Sequence, residues 1–238
     1  MARVIKEYTV RRNEILDAAQ HLVQTKGYEQ MTIQDLLDDL QISKGAFYHY
    51  FTSKQALLEA LIERMVDVVE PLVLTIVQDP DLSALEKLRR LFATVSRWKT
   101  ARKEFLLALL RVWYADDNVL IRQKTRDVSA KLLTPQLQVI IQQGLQEGTL
   151  TLVYPEQMGS VIVALLQDLG DAMGTLCLTF DPKHHELSHI ELTVAAYTDA
   201  LERVLGAPSG SLQLVDMETL RAWFVAPSET QRRIEAAV

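Results

Sequence analysis

One cysteine, Cys177, occurs among 238 residues. That excludes an intramolecular disulfide framework and a cysteine-built zinc site, and it suits a reducing compartment. Flanked by Leu176 and Leu178, the thiol reads as core rather than as a redox sensor, which needs an electropositive, accessible setting. Glycine and proline are few, nine and seven. No alternating apolar run sits between turn pairs such as Asn-Gly, so strands are not expected and the class is all-α. Long apolar runs are missing too. The longest tract, residues 161–178, is broken by Gln167, Asp168 and Asp171, so no membrane span is expected. The opening residues, Met-Ala-Arg-Val-Ile-Lys-Glu, hold no signal-peptide core, and a cytoplasmic protein is expected. No Walker loop, Rossmann glycine pattern, Ser/His/Asp set or Cys/His set is found. Neither catalysis nor a cofactor is expected.

What is present is an ordinary globular balance, 48% hydrophobic and 24% charged. The chain is long enough for a small module and a second, larger core. Its net charge of −6 argues weakly against nucleic acid until the distribution is read. Residues 3–12 carry four basic side chains, Arg3, Lys6, Arg11 and Arg12, against Glu7. Over residues 1–54 seven basic and seven acidic side chains cancel, so any phosphate-facing patch there is local.

Helical spacing organises the first part of the chain. Ile15, Ala18, Ala19, Leu22 and Val23 form one apolar face of a helix expected over 9–26, with Gly27 placed to end it. Thr32 followed by Asp35 is a capping-box start for a second helix, whose inner face is Ile33, Leu36, Leu37 and Leu40. Ser43 caps a third, through about His49. The gap between Leu40 and Ser43 leaves room only for a tight turn, which makes the pair a helix-turn-helix. A fourth helix starts at Thr52 or Ser53, and Pro71 is expected to kink or end it.

The stretch from Ile42 to Lys54 has the chemistry of a DNA reader. Ser43 leaves helix N–H groups and a positive dipole end near a phosphate, Lys44 offers a mobile cation, and Gly45 lets the backbone approach a sugar-phosphate edge. Tyr48, His49 and Tyr50 add donors on a helix short enough for a major groove, and Lys54 can hold a phosphate beside the next helix. Thr32, Ser43, Lys44, Gly45, Ala46, Tyr48, His49, Tyr50 and Lys54 are the candidate DNA-binding residues. Phe47 and Phe51 read as core. The tyrosines also have a plain reading as surface side chains, and the basic cluster at residues 3–12 as a solvated arm.

This pattern resembles the DNA-binding head of the tetracycline-repressor (TetR) family. The likeness is carried by Lys26-Gly27-Tyr28, Thr32-Ile33, the Ser-Lys-Gly-x-x-Tyr-x-x-Phe core from Ser43 to Phe51, and Ser53-Lys54. It covers about residues 10–58. One departure is Leu40-Gln41-Ile42, where the family usually has Ala-Gly-Val, so Gln41 must adopt whatever backbone geometry the glycine supplies. Asp38 and Asp39 are a second, and are expected to point away from DNA. The resemblance implies a dimeric repressor reading a palindromic operator in double-stranded DNA. It also implies a C-terminal helical domain that dimerises and holds a small-molecule effector.

The expected division is therefore 1–58 for DNA binding, 59–206 for effector binding and dimerisation, and 207–238 as a tail with short helices. Helices are expected at 82–100, 103–114, 119–147 with a break at Pro135, 156–178 and 185–205, then weakly at 216–225 and 228–236. Gly144 and Gly148 are expected to fray the long helix, and 207–210 to act as a linker. Apolar stripes at Met158, Ile162, Leu165, Leu169 and at Leu187, Ile190, Val194, Leu201 would suit a four-helix homodimer interface, though an internal core shows the same stripes. Trp98, Phe105, Trp113, Tyr114, Gln167 and Asp171 are candidate effector contacts, with packing as the plain alternative. Against this stands His185-Glu186-Leu187-Ser188-His189, with His184 beside it, which fits the zinc-hydrolase H-E-x-x-H pattern. No third ligand is apparent apart from Glu202, and a solvated helix start is favoured, so no metal is expected. A helical interaction protein that binds no DNA is the other alternative.

Overall fold

The computed structural model describes residues 2–114, 119–181 and 187–225. Among them are ten α-helices and no strand: α1 Ala2–Lys26, α2 Ile33–Leu40, α3 Lys44–Tyr50, α4 Lys54–Gln78, α5 Ala84–Thr100, α6 Lys103–Trp113, α7 Val119–Gln146, α8 Pro155–Thr179, α9 Leu187–Leu205 and α10 Met217–Phe224. The chain divides into two compact units, Met1–Val68 with Glu104–Val128 and Val69–Lys103 with Ser129–Val238. His184, His185 and Glu186, and the helix expected at 228–236, lie outside the described residues.

The first unit is built on the apolar face of α1. Ile15, Leu16, Ala19 and Val23 are fully buried there and meet Leu36 of α2, Phe47 of α3, and Leu57, Leu58 and Leu61 of α4. Apart from Ala19, each such side chain contributes about 1.5–3 kcal/mol relative to exposure. The same core takes Phe105, Leu109 and Val112 from α6, so the head extends beyond the helix-turn-helix segment. Arg64 clamps α4 to α1, donating to Asp17 Oδ1 at 2.6 Å, to Gln20 Oε1 at 2.7 Å and to the Leu16 carbonyl at 3.4 Å.

Several sequence expectations need correction. The first helix starts at Ala2 rather than at residue 9. Pro71 does not end α4, which continues to Gln78, and Pro135 does not break α7. Both prolines are exposed, so the carbonyl each leaves without an N–H partner can turn to water, which lowers the usual cost of an interior proline. Nor does Gly144 fray its helix. A Cβ there would lie 2.4 Å from Leu150 Cδ1, and the Gly144 carbonyl accepts from the N–H groups of Thr149 and Leu150. That residue is glycine because the chain folds back tightly against it.

The second unit gathers α5, most of α7, α8, α9 and α10 around Leu88, Leu137, Ile140, Ile141, Ile162 and Leu205. Residues 207–225 are part of this core, not a free linker: Leu212, Leu214, Leu220 and Phe224 are buried in it. Glu202 makes that possible. Its carboxylate is buried and accepts from the N–H of Gly210 at 2.9 Å and of Leu212 at 2.7 Å. Two backbone donors, that of Leu212 buried, are thereby satisfied, and Glu202 is a loop anchor rather than a spare metal ligand.

α8 is also more apolar than its interrupted tract suggested. By length and composition it could cross a membrane, with a mean hydropathy of 1.5 over a stretch that is only 22% buried within this chain.

Replacing Glu202 with alanine strands the buried Leu212 N–H and frees that of exposed Gly210. We expect a loss of about 1–3 kcal/mol in the second unit, read by urea unfolding, with Glu202→Gln losing less because one acceptor oxygen remains.

Candidate nucleic-acid interface

The interface is built outward from a turn. Thr32 is the N-cap of α2; its side chain accepts from the Asp35 N–H at 3.1 Å, while Asp35 accepts from the Thr32 N–H at 2.9 Å. The expected capping box is complete. Asp35 also takes the Lys26 ammonium at 2.7 Å. Those hydrogen bonds, Lys26 first, hold its carboxyl down at about 2. Where α2 ends, Gln41 adopts the left-handed conformation, φ 51° and ψ 44°, the only non-glycine residue with positive φ among those described. The Leu37 carbonyl accepts from the N–H groups of both Gln41 and Ile42. The turn geometry that glycine would supply is thus adopted by glutamine, with the steric strain that Cβ brings.

Beyond the turn, Ser43 caps α3 by accepting from the Ala46 N–H at 3.2 Å. A seven-residue helix has one inward row, and Phe47 fills it with 0% exposure. Phe51, the C-cap, is also buried. Both expected core aromatics are core. Burying Phe47 turns Lys44, Gly45, Tyr48 and His49 outward, and together with Ser43 all of them are exposed. Lys44 Nζ lies 6.0 Å from the Tyr48 ring centre.

The remaining candidates sit elsewhere. Ala46 and Tyr50 are half-buried, and Tyr50 packs on Tyr8 of α1 at 4.7 Å between ring centres, with His49 5.7 Å from the same ring. Tyr8 escaped the sequence reading because it lies before the periodic stretch. Lys54 is not a free cation. Its Nζ sits 4.3 Å over the Tyr28 ring and donates to the Glu29 carbonyl at 3.3 Å, and burial pulls its pKa down. Burial, helped by Glu29 and Glu59, pushes the Tyr28 hydroxyl up to about 12. Asp38 and Asp39 are exposed, and Asp38 accepts from Gln34 Nε2.

Nothing in the fold requires glycine at position 45. A Cβ there would meet only Ser43 Oγ, at 3.9 Å. A missing side chain on an exposed face, where the chain has room for one, suits close approach by a partner backbone.

The candidate effector residues fall into two groups. Phe105, Trp113 and Tyr114 belong to the first unit, and Trp98, Gln167 and Asp171 to the second. Phe105 is core, 1% exposed. The Trp98 and Trp113 indole nitrogens are buried without a hydrogen-bond partner. Arg122 lies over the Tyr114 ring. A shallow groove of about 500 Å³ runs along α7, lined by Pro135, Val139 and four glutamines; it contains none of the candidates. Cys177 is half-buried and burial pushes its thiol up to about 11, which leaves no reactive thiolate at neutral pH. His189 is exposed near the start of α9, and no group of three or more metal-ligating side chains occurs among the described residues.

An all-α chain whose head places a capped, seven-residue helix after a left-handed turn is a helix-turn-helix protein. Its residues 15–61 match the model of the bacterial regulatory proteins of the tetR family. An HTH-type transcriptional regulator from Lactococcus lactis is 34% identical over 80 residues, 34% of this chain and 41% of that protein. The HTH-type transcriptional repressor KstR2 of Mycobacterium tuberculosis is 32% identical over 92 residues, 39% of this chain and 46% of its own. The chain thus matches under half the length of these curated relatives. A TetR-family transcriptional regulator from Pectobacterium atrosepticum has the same fold, with a TM-score of 0.63 at 19% identity over 85% of this chain and 98% of that one.

Two outcomes are expected from the turn. Gln41→Gly should stabilise the head by about 1 kcal/mol by relieving the left-handed strain, read as a higher thermal midpoint. Asp35 has a folded pKa below its ordinary value of 3.8, so its contribution is complete above that value and fades as pH falls towards about 2. Asp35→Asn should flatten the loss of helicity in that acid window and lower stability at neutral pH.

Proposed function

We propose that this chain is a ligand-responsive transcriptional regulator that acts as a repressor. It binds a palindromic operator as a homodimer, with α3 of each subunit in a major groove. One observation carries the reading: burial of Phe47 aligns Ser43, Lys44, Gly45, Tyr48 and His49 on a single exposed face, within the segment that matches the tetR-family model. Lys44 meets phosphate, Gly45 gives clearance, and Tyr48 and His49 face base edges or the sugar-phosphate rim. Thr32, Ala46, Tyr50 and Lys54 support this face. Lys54 in particular joins the Tyr28 ring to the head, so its loss weakens the scaffold along with any phosphate contact.

Repression is the mode of the Mycobacterium tuberculosis relative, a transcriptional repressor by name. Dimerisation through α8 and α9 is supported by their uncovered apolar side chains, Val161 at 40% and Leu192 at 69% exposure, and it would explain an α8 apolar enough for a bilayer in a cytoplasmic protein. Residues 1–58 read DNA, 59–206 hold the effector and the dimer partner, and the tail from 207 completes the second domain. Effector binding shifts α4, which contributes to both compact units, and the operator is released because the effector prefers the other state. The protein is a binding module, not an enzyme.

The test is titration into a labelled fragment from upstream of its own gene, beside unrelated DNA of equal length, at two salt concentrations. Specific binding should exceed non-specific binding by about a thousandfold or more. Tyr48→Ala should cost about 1–3 kcal/mol, and Lys44→Ala should lower the salt slope by about one per half-site. Gly45→Ala should weaken binding while leaving the thermal midpoint unchanged or raised, since alanine is the better helix former. Equal, weak binding of both fragments by all variants would refute the assignment of α3.

A further inference from the structure

A helix that enters the major groove fills it, since the groove is about 12 Å wide and a helix with its side chains is about 10–12 Å across. Side chains that flank the reader from another helix therefore meet the sugar-phosphate rim rather than base edges. In the head, α1 places one such side chain, Tyr8, against the C-terminal end of α3.

Two ring contacts hold it there. The Tyr8 ring lies 4.7 Å from that of Tyr50, tilted by 36°, and 5.7 Å from that of His49, edge to face at 79°. His49 and Tyr50 meet each other at 5.0 Å and 84°. The three rings close a triangle across two helices, at separations within the favourable range of about 4.5–7 Å. Tyr50 is half-buried, whereas His49 and Tyr8, the latter 39% exposed, keep accessible edges. His49 belongs to the outward face of α3, so Tyr8 borders that face.

Packing accounts for the ring of Tyr8 but not for its hydroxyl. Phenylalanine would make the same two contacts. The Tyr8 hydroxyl has no hydrogen-bond partner among the described residues, in contrast with that of Tyr197, which donates to Asp168. The charge nearby suits an anion. Tyr8, Arg11 and Arg12 fall at i, i+3 and i+4, on one side of α1. Arg11 pairs with Glu14 at 2.6 Å. Arg12 lies 5.3 Å from the centre of the Phe51 ring and has no carboxylate partner among the described residues.

We propose that Tyr8 extends the DNA interface from α3 onto α1: its hydroxyl donates to a backbone phosphate beside the groove, and its ring sets the orientation of His49 on the reading face. The proposal rests on the assignment of α3 as the DNA reader, and adds a contact from outside the segment, residues 15–61, that matches the tetR-family model. Phosphates are the same in every duplex, so the hydroxyl contributes affinity without sequence preference, while the ring acts on preference through His49. A neutral hydroxyl releases no counterion, so its contact adds nothing to the salt dependence.

The test titrates the full-length protein into the labelled upstream fragment and into unrelated duplex of equal length, at two salt concentrations. Tyr8→Phe should weaken binding to both by the same factor, about fivefold or more, with the salt slope and thermal midpoint of the wild type. Tyr8→Leu, which also removes the ring, should lose preference for the upstream fragment as well. His49→Ala should then cost less affinity when added to Tyr8→Leu than when made alone. The proposal is overturned if Tyr8→Phe binds both duplexes as the wild type does, or if its salt slope or thermal midpoint falls along with its affinity. It is also overturned if the effects of Tyr8→Leu and His49→Ala simply add. The two readings fail separately. A wild type that prefers the upstream fragment, with Tyr8→Phe binding it equally well, overturns this proposal alone. A wild type that binds both duplexes equally, each weakened by Tyr8→Phe, overturns the operator reading and leaves the phosphate contact standing. A wild type that binds neither duplex overturns both.

Discussion

A seven-residue helix cannot hold an orientation by itself. Isolated helices shorter than about 12–15 residues are marginal in water, so α3 depends on being pinned from one side. Phe47 is that pin. It is entirely buried among Ile15, Leu36 and Leu58, and because side chains one residue apart on a helix diverge by about 100°, its burial decides that Lys44, Gly45, Tyr48 and His49 face outward. Tyr50 against Tyr8 adds a second attachment, between α3 and α1. The three hydrogen bonds of Arg64 then tie α1 to α4. A displacement of α4 is therefore transmitted to the scaffold on which α3 rests.

Charge in the head is handled locally. Lys26 is paired with Asp35, Arg11 with Glu14, and Lys54 is drawn over Tyr28. Arg12 lies over the Phe51 ring. These contacts leave Lys44 as the cation on the outward face of α3. An acidic protein can thus present a basic point where a polyanion would approach, with no excess of positive charge over the head as a whole.

The second unit shows the opposite treatment of polar groups. Glu202 is buried and fully engaged, and the fold of residues 207–225 depends on it. The Trp98 indole N–H is buried and left without an acceptor.

The helices were legible in the sequence because their apolar residues recur at helical spacing. The caps Thr32 and Ser43 and the terminating Gly27 were legible because their chemistry is local. For the same reason Phe47 and Phe51 could be assigned to the core and residues 43–49 to the candidate interface. Other features depend on partners far away in the chain. The inclusion of α6 in the head, the anchoring role of Glu202, the capture of Lys54 by Tyr28 and the contact of Gly144 with Leu150 pair residues whose meeting no local pattern encodes. The continuity of α4 through Pro71 and of α7 through Pro135 depends on each proline facing solvent, which the fold decides. Sequence alone thus determined the helical class and the chemistry carried by each short segment, since periodicity, capping and turn geometry act over a few residues. Tertiary structure alone decided which polar groups are spent on the fold and which remain for a partner, because burial and hydrogen bonding are settled only when distant segments pack together.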